Sequence, residues 1–160
     1  MSGPRYEVTI ARGHTWCLFE LRGTAEAVLE ALGASRLPKA VEPNRRTLGE
    51  TEAAVARIGP SRWFVRAPAD AETRLAASLA AAIDPIADAD MALVTDHFEA
   101  FHLTGPGAVD VVSQGTALDV AEAAFGADAV TATEMFGATI LLERSDKPAG
   151  GFVVYVERSF

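Results

Sequence analysis

A chain of 160 residues and 16.9 kDa, 49% apolar and 22% charged with 13 glycines and 8 prolines, has the composition of a globular protein folded around one core, which excludes a collagen-like or largely disordered polymer. Its 14 basic against 22 acidic side chains, a net charge of −8, exclude a sequence-independent grip on nucleic acid or on an anionic membrane surface. The single cysteine, Cys17, excludes an internal disulfide and a Cys-rich zinc site; with no apolar run near the roughly 20 residues of a membrane span and no basic-then-apolar leader, the expected location is the cytoplasm.

Alternation of Tyr6, Val8 and Ile10 with Glu7 and Thr9 predicts a half-buried strand over 5–12, and residues 16–21 read as its neighbour. Thr24 followed by Ala25, Val28, Leu29 and Leu32 predicts an N-capped amphipathic helix stopped at Gly33. Residues 35–49, with Pro38, Pro43, Asn44, Arg45 and Arg46, predict a loop too polar and broken to be hidden or to join a sheet. Residues 53–58 and 63–65 predict strands around the turn Gly59-Pro60-Ser61-Arg62. From Asp70, the spacing of Leu75, Leu79 and Ile83 predicts a helix ending before Pro85.

The order then repeats. Residues 91–95 and 100–104 predict strands, Gly105-Pro106 opens a helix carrying Val109 and Val112, and a short helical piece is predicted from Asp119 through Phe125. Three strands close the chain at 130–136, 138–143 and 151–157, with Lys147-Pro148-Ala149-Gly150 as a hairpin loop. Two successive sets of strands and helices predict an α+β fold, one domain over 1–160 built from two related strand/helix halves. Charge divides unevenly between those halves, +2 over 1–80 and −10 over 81–160. Either the second half has a solvated acidic surface or a positive partner docks on it.

The search for chemistry returns absences. There is no glycine-rich phosphate loop, no G-x-S-x-G elbow and no H-E-x-x-H pair. His14 and Cys17 on a strand would point to opposite faces, and two ligands hold a metal poorly. His97 and His102 are expected to flank a hairpin containing Glu99, either as a pH-sensitive or metal site or as exposed turn residues. Asp84, Asp88 and Asp90 lack the glycine-centred spacing of a calcium loop.

Several segments together carry a resemblance: Leu37-Pro38, Pro43-Asn44-Arg45, Gly59-Pro60-Ser61-Arg62-Trp63-Phe64, Val94-Thr95-Asp96, Leu103-Thr104-Gly105-Pro106-Gly107-Ala108, Ala117-Leu118-Asp119 and Glu157-Arg158-Ser159-Phe160. Their order and spacing resemble the gamma subunit of heterotetrameric sarcosine oxidase. The resemblance implies a fold related to the folate-binding domain of the aminomethyltransferase (glycine-cleavage T-protein) superfamily. It also implies a noncatalytic role in assembling a multisubunit flavin-dependent amine oxidase. FAD, FMN, NAD and tetrahydrofolate would then sit in the alpha, beta and delta partner subunits, with no catalytic, cofactor or metal residue in this chain. Departures from the family pattern are His97-Phe98-Glu99 where a Leu-Ser-Asp-like step is usual, Ser61-Arg62 where the turn usually reads Gly-Pro-Asp-Glu-Trp, and an end at Phe160 where relatives continue into a helix. These leave sarcosine and other N-methyl or secondary amines as candidate substrates.

Two alternatives stand beside that expectation: a stand-alone folate-dependent one-carbon transfer protein, to which Glu50 and Glu52 near a hairpin would be relevant, and a small-molecule-binding module. For the assembly role the expected partner surface is Arg45, Arg46 and Arg62 beside Trp63, since arginine and tryptophan are enriched at interface cores. Trp63 anchoring its own core is the competing reading.

Overall fold

The computed structural model describes residues 6–50, 52–145 and 150–159. Along the chain run β1 (Thr9–Arg12), β2 (Trp16–Gly23), α1 (Ala25–Ala34), β3 (Arg45–Leu48), β4 (Ala54–Gly59), β5 (Arg62–Pro68), α2 (Glu72–Ile83), β6 (Ala89–Leu93), β7 (Phe98–Thr104), α3 (Ala108–Gly115), β8 (Val130–Met135), β9 (Ala138–Arg144) and β10 (Phe152–Glu157). The fold is α+β and dominated by sheet. It divides into two compact units, one of residues 15–96 and one formed from residues before 15 and after 96.

In the first unit an antiparallel sheet has the order β3-β4-β5-β2-β6, with α1 and α2 supplying Val28, Leu32, Leu75, Leu79 and Ile83 to one core. In the second the order is β1-β7-β10-β9-β8, and its core joins Leu103, Val112, Val120, Phe125, Leu142, Phe152 and Val154. The two sheets share one topology. Reading β2, α1, β3, β4, β5 against β7, α3, β8, β9, β10 matches element for element, and β6 matches β1 as the edge strand.

The register repeats as well. Leu21 stands between Trp63 and Met91, and Leu103 between Phe152 and Ile10; one step along, Phe19 pairs with Val65 and Leu93, and Phe101 with Val154 and Arg12. β2 ends in Gly23 and β7 is followed directly by Gly105, both at positive φ (153° and 108°). A β-carbon on Gly23 would lie 2.2 Å from the Asp88 carbonyl oxygen, and one on Gly105 would lie 2.5 Å from that of Glu7. Each carbonyl precedes its edge strand and accepts a backbone hydrogen bond, from Thr24 N at 3.2 Å or Gly107 N at 3.1 Å. Across the sheet Arg57 stacks 5.0 Å from the Trp63 ring centroid and Arg144 4.6 Å from that of Phe152, occupying matching positions.

Most elements fall where the pattern places them. Thr24 Oγ1 accepts from Ala27 N at 3.3 Å and starts α1, and the two-residue turn Pro60-Ser61 joins β4 to β5. Five expectations change. β1 pairs with β7 and not with β2, and as an edge strand it is exposed along its length, so alternation there did not signal half-burial. Residues 45–48, expected in a broken loop, form β3: Pro43 lies before the strand, and Asn44, at φ 57°, turns the chain into it while its N–H donates to Arg57 O at 2.7 Å. Helix α1 continues past Gly33 and closes at Arg36 (φ 57°), with Leu37 N donating to Leu32 O at 2.8 Å and Arg36 N to Gly33 O at 3.1 Å. The helix expected from Asp119 to Phe125 is a single turn, Phe125 N donating to Ala121 O at 2.8 Å. The residues expected to flank a hairpin, His97 and His102, instead stand just before β7 and within it. Of the predicted Lys147–Gly150 loop, residues 147–149 lie outside the described residues.

Candidate functional site

Arg45, Arg46, Arg62 and Trp63 all lie on the ribbon β3-β4-β5, but they do not form one patch. Arg45, Arg57 and Trp63 pair in one row across the strands; Arg46, Ala56, Phe64 and Glu20 pair in the next. Adjacent rows of a pleated sheet face opposite sides. Trp63 is fully buried: its Nε1 donates to Ala40 O at 3.0 Å, and the Arg57 guanidinium that covers it donates to Val41 O at 2.8 Å and Pro60 O at 3.1 Å. Of the two readings, the side chain anchors its own core, because a ring of that size removes a large apolar area from water and finds its one polar partner there. Arg46 is also buried, at 8% exposure, contrary to its expected display in a loop.

Arg62 is half-buried. Its Nε and Arg22 Nε, the latter at 2.8 Å, both donate to Oε1 of the buried Glu20, and its guanidinium lies 5.1 Å from the Phe64 ring centroid. Burial pushes the Glu20 carboxyl upward, yet the hydrogen bonds and charges of Arg22 and Arg62 outweigh it and hold the group below the ordinary glutamate range. Only Arg45 of the four keeps an exposed side chain. It belongs to an edge strand whose Leu48 is 58% exposed and lies close in sequence to Val41, 54% exposed. Sequence reasoning found the segment and missed its form, the terminal strand of a sheet, because two prolines upstream masked a four-residue strand.

The isolated titratable residues are accounted for by structure. Cys17 is fully buried, its thiol facing the carbonyls of Ala67 and Pro68 at 3.6 Å, and burial together with the nearby negative charges of Glu72 and Asp70 pushes its pKa up, away from a reactive thiolate. His102 Nε2 lies 3.1 Å from Gly13 O, while His97 is exposed and its carbonyl accepts from Arg158 N. Glu99 is held below the ordinary range by a hydrogen bond from Arg12 at 2.8 Å, by the charge of Arg12 and by Arg158 at 3.6 Å. Glu50 and Glu52 are exposed. Asp90 Oδ1 accepts from Met91 N at 2.8 Å, a contact with its chain neighbour within β6. Among the described residues, no three His, Cys, Asp or Glu side chains converge on one point, and no helix is long and apolar enough to cross a membrane.

No protein-family model matches the sequence, and neither does any curated protein sequence. Solved structures do match its fold. A chain of heterotetrameric sarcosine oxidase from Corynebacterium sp. U-96, solved in complex with pyrrole 2-carboxylate, superposes with a TM-score of 0.80 at 17% identity, over 96% of this chain and 77% of that one. The glycine cleavage system aminomethyltransferase T from Bartonella henselae superposes with a TM-score of 0.71 at 13% identity, over 96% of this chain. The match spans 43% of the aminomethyltransferase's own length. The repeated five-stranded sheets with their sparse helices are thus the α+β fold that this chain shares with a sarcosine oxidase chain and with part of an aminomethyltransferase.

Proposed function

We propose that the chain is a gamma-type, noncatalytic subunit of a multisubunit flavin-dependent oxidase acting on sarcosine or a related N-methyl or secondary amine, and that it contributes to assembly. The carrying observation is the superposition over 96% of its length on a chain from a heterotetrameric sarcosine oxidase. The side chains support the same reading: the cysteine is sealed in a core, the described carboxylates of low pKa are engaged by arginines, and the segment first singled out for contact is a strand edge. In this reading FAD, FMN, NAD and tetrahydrofolate belong to the alpha, beta and delta partners, and this chain holds none of them. The stand-alone one-carbon transfer alternative is less well supported, because the match to aminomethyltransferase T spans under half of that enzyme.

Co-purification from the native host with an affinity-tagged copy tests the proposal. The expected result is a complex with a flavin absorption spectrum, and an isolated recombinant chain that loses all flavin absorbance on desalting and shows no saturable binding of tetrahydrofolate. A tagged chain that purifies alone from its host, or an isolated chain that retains flavin or binds tetrahydrofolate, overturns it.

A further inference from the structure

Arg22 and Arg62 stand directly opposite each other where β2 pairs with β5, and like charges in that position repel. The repulsion is offset because both Nε atoms donate to one oxygen of Glu20, whose side chain is 9% exposed. One carboxylate neutralises only one of the two positive charges. Each guanidinium engages Glu20 through Nε alone, and among the described residues neither donates a further hydrogen bond. The two Nη atoms of each therefore remain available, on side chains 66% exposed for Arg22 and 36% exposed for Arg62. The Phe64 ring, 5.1 Å from the Arg62 guanidinium, braces it.

The internal repeat shows that the fold does not require this cluster. With Leu21 matched to Leu103 and Trp63 to Phe152, the positions of Glu20, Arg22 and Arg62 are held in the other unit by His102, Thr104 and Gly151. The same sheet topology is built there without a paired arginine. The surrounding charge is biased as well. Strands β3, β4 and β5 carry Arg45, Arg46, Arg57, Arg62 and Arg66 and no acidic residue, in a chain whose net charge is −8. Arg57, beside the same turn, donates to the carbonyls of Val41, Gly59 and Pro60, which satisfy its N–H groups without neutralising its charge. Asp90, opposite Arg22 on β6, acts on it through its charge while its Oδ1 accepts from Met91 N. Three guanidiniums at this end of the sheet thus stand against two carboxylates.

From this arrangement we propose that Arg22 and Arg62 form a binding site for an oxyanion, a carboxylate or a phosphate, held by the Nη groups of both while Glu20 holds both Nε atoms. Planar guanidinium forks match the spaced oxygens of such groups, and hydrogen bonds between two charged partners are the strong ones. Glu20 is a positioning residue that also competes for the two cations. The inference stands whether or not the chain belongs to an amine oxidase.

The probe is inorganic phosphate, titrated into the full chain at constant ionic strength set with chloride and followed at the arginine Nε–H magnetic resonances; succinate is titrated in parallel. The expected result is saturable shifts at Arg22 and Arg62 and none at Arg45. Binding weakens by about tenfold or more with Arg22→Gln, a change at an exposed side chain that leaves circular dichroism unaltered, and with Arg62→Lys, which keeps the charge and loses the planar fork. Glu20→Gln, which removes the competing carboxylate, tightens it. A tighter response to phosphate identifies a phosphoryl ligand and a tighter response to succinate a carboxylate, and saturation by either supports the site. The inference is overturned by shifts that stay linear in anion concentration, by equal shifts at all exposed arginines, which would mean general screening, or by saturable binding indifferent to both Arg22→Gln and Arg62→Lys.

Discussion

Glu20 shows how one buried side chain links the fold to pH. Its carboxylate accepts from Arg22 and Arg62, and its pKa lies below the ordinary range despite burial. A carboxyl whose folded pKa is depressed stabilises the native state above the unfolded value of about 4.3, and the contribution disappears as pH falls through the folded value. Urea midpoints measured between roughly pH 7 and 3 should therefore decline on the acid side more steeply for the wild type than for Glu20→Gln, and the two curves should converge at the lowest pH. Parallel curves would place the acid sensitivity elsewhere. Arg36 gives a second residue-scale expectation. It holds a left-handed conformation at the end of α1, where its N–H and that of Leu37 satisfy two helix carbonyls, a position that strongly favours glycine. Arg36→Gly should raise stability by roughly 0.5–1 kcal/mol, read as a higher denaturant midpoint with an unchanged slope; a lower midpoint would mean that the arginine side chain makes compensating contacts.

At the scale of elements, local patterns with a physical stop or start were legible and pairings were not. Thr24 at a helix start, Pro60-Ser61 in a two-residue turn and the four-residue spacing of Leu75, Leu79 and Ile83 each act through the nearest few residues, and each appears as read. The partner of β1 is β7, almost a hundred residues away, and nothing in the alternation of Val8 and Ile10 names it. Burial on both faces likewise erases alternation along 16–21 and 140–144, where strand and helix are hard to tell apart. The four candidate interface residues do not form one patch for a related reason: Arg45, Arg46, Arg62 and Trp63 are neighbours in sequence or across a turn, but pleating splits them between two faces. Gly23 and Gly105 carry the repeat most economically, since at each the chain passes within van der Waals reach of the carbonyl before an edge strand. Gly23→Ala and Gly105→Ala should each destabilise by on the order of 3 kcal/mol, visible as a lower melting temperature, whereas Gly137→Ala meets no atom within 4 Å and strains only its own φ of 81°. Equal effects at all three positions would mean that the close approaches are relaxed by small backbone shifts.

At the scale of the whole chain, the charge asymmetry of the sequence halves largely dissolves. Residues 15–96 carry 9 basic and 12 acidic side chains and the remainder of the chain carries 5 and 10, because the acidic stretch from Asp84 to Asp96 belongs to the first unit and Arg5 and Arg12 lie in the N-terminal segment. A positive partner on the second half thus loses its main motive, and the candidate partner surface that remains is local, the edge strand with Arg45. An assembly role makes an arithmetical demand on such surfaces, since an obligate contact removes at least about 2,000 Å² from water, while a catalytic role would need a convergent set of reactive groups. The two are separated by normalising turnover to assembled complex. Under the proposed assembly role, removing this chain should lower the amount of flavin-loaded complex recovered, and Arg45→Glu should lower it as well. Arg46→Ala, at a buried side chain, should also lower the melting temperature of the isolated chain. Single alanine substitutions of His14, Cys17, His97 or His102 should leave turnover per assembled complex within about tenfold, or about 1.4 kcal/mol of barrier, even where Cys17→Ala reduces yield by opening a small cavity in the core. Loss of turnover in a complex that assembles with full flavin content, caused by any one of those four changes, would mean that this chain takes part in the chemistry.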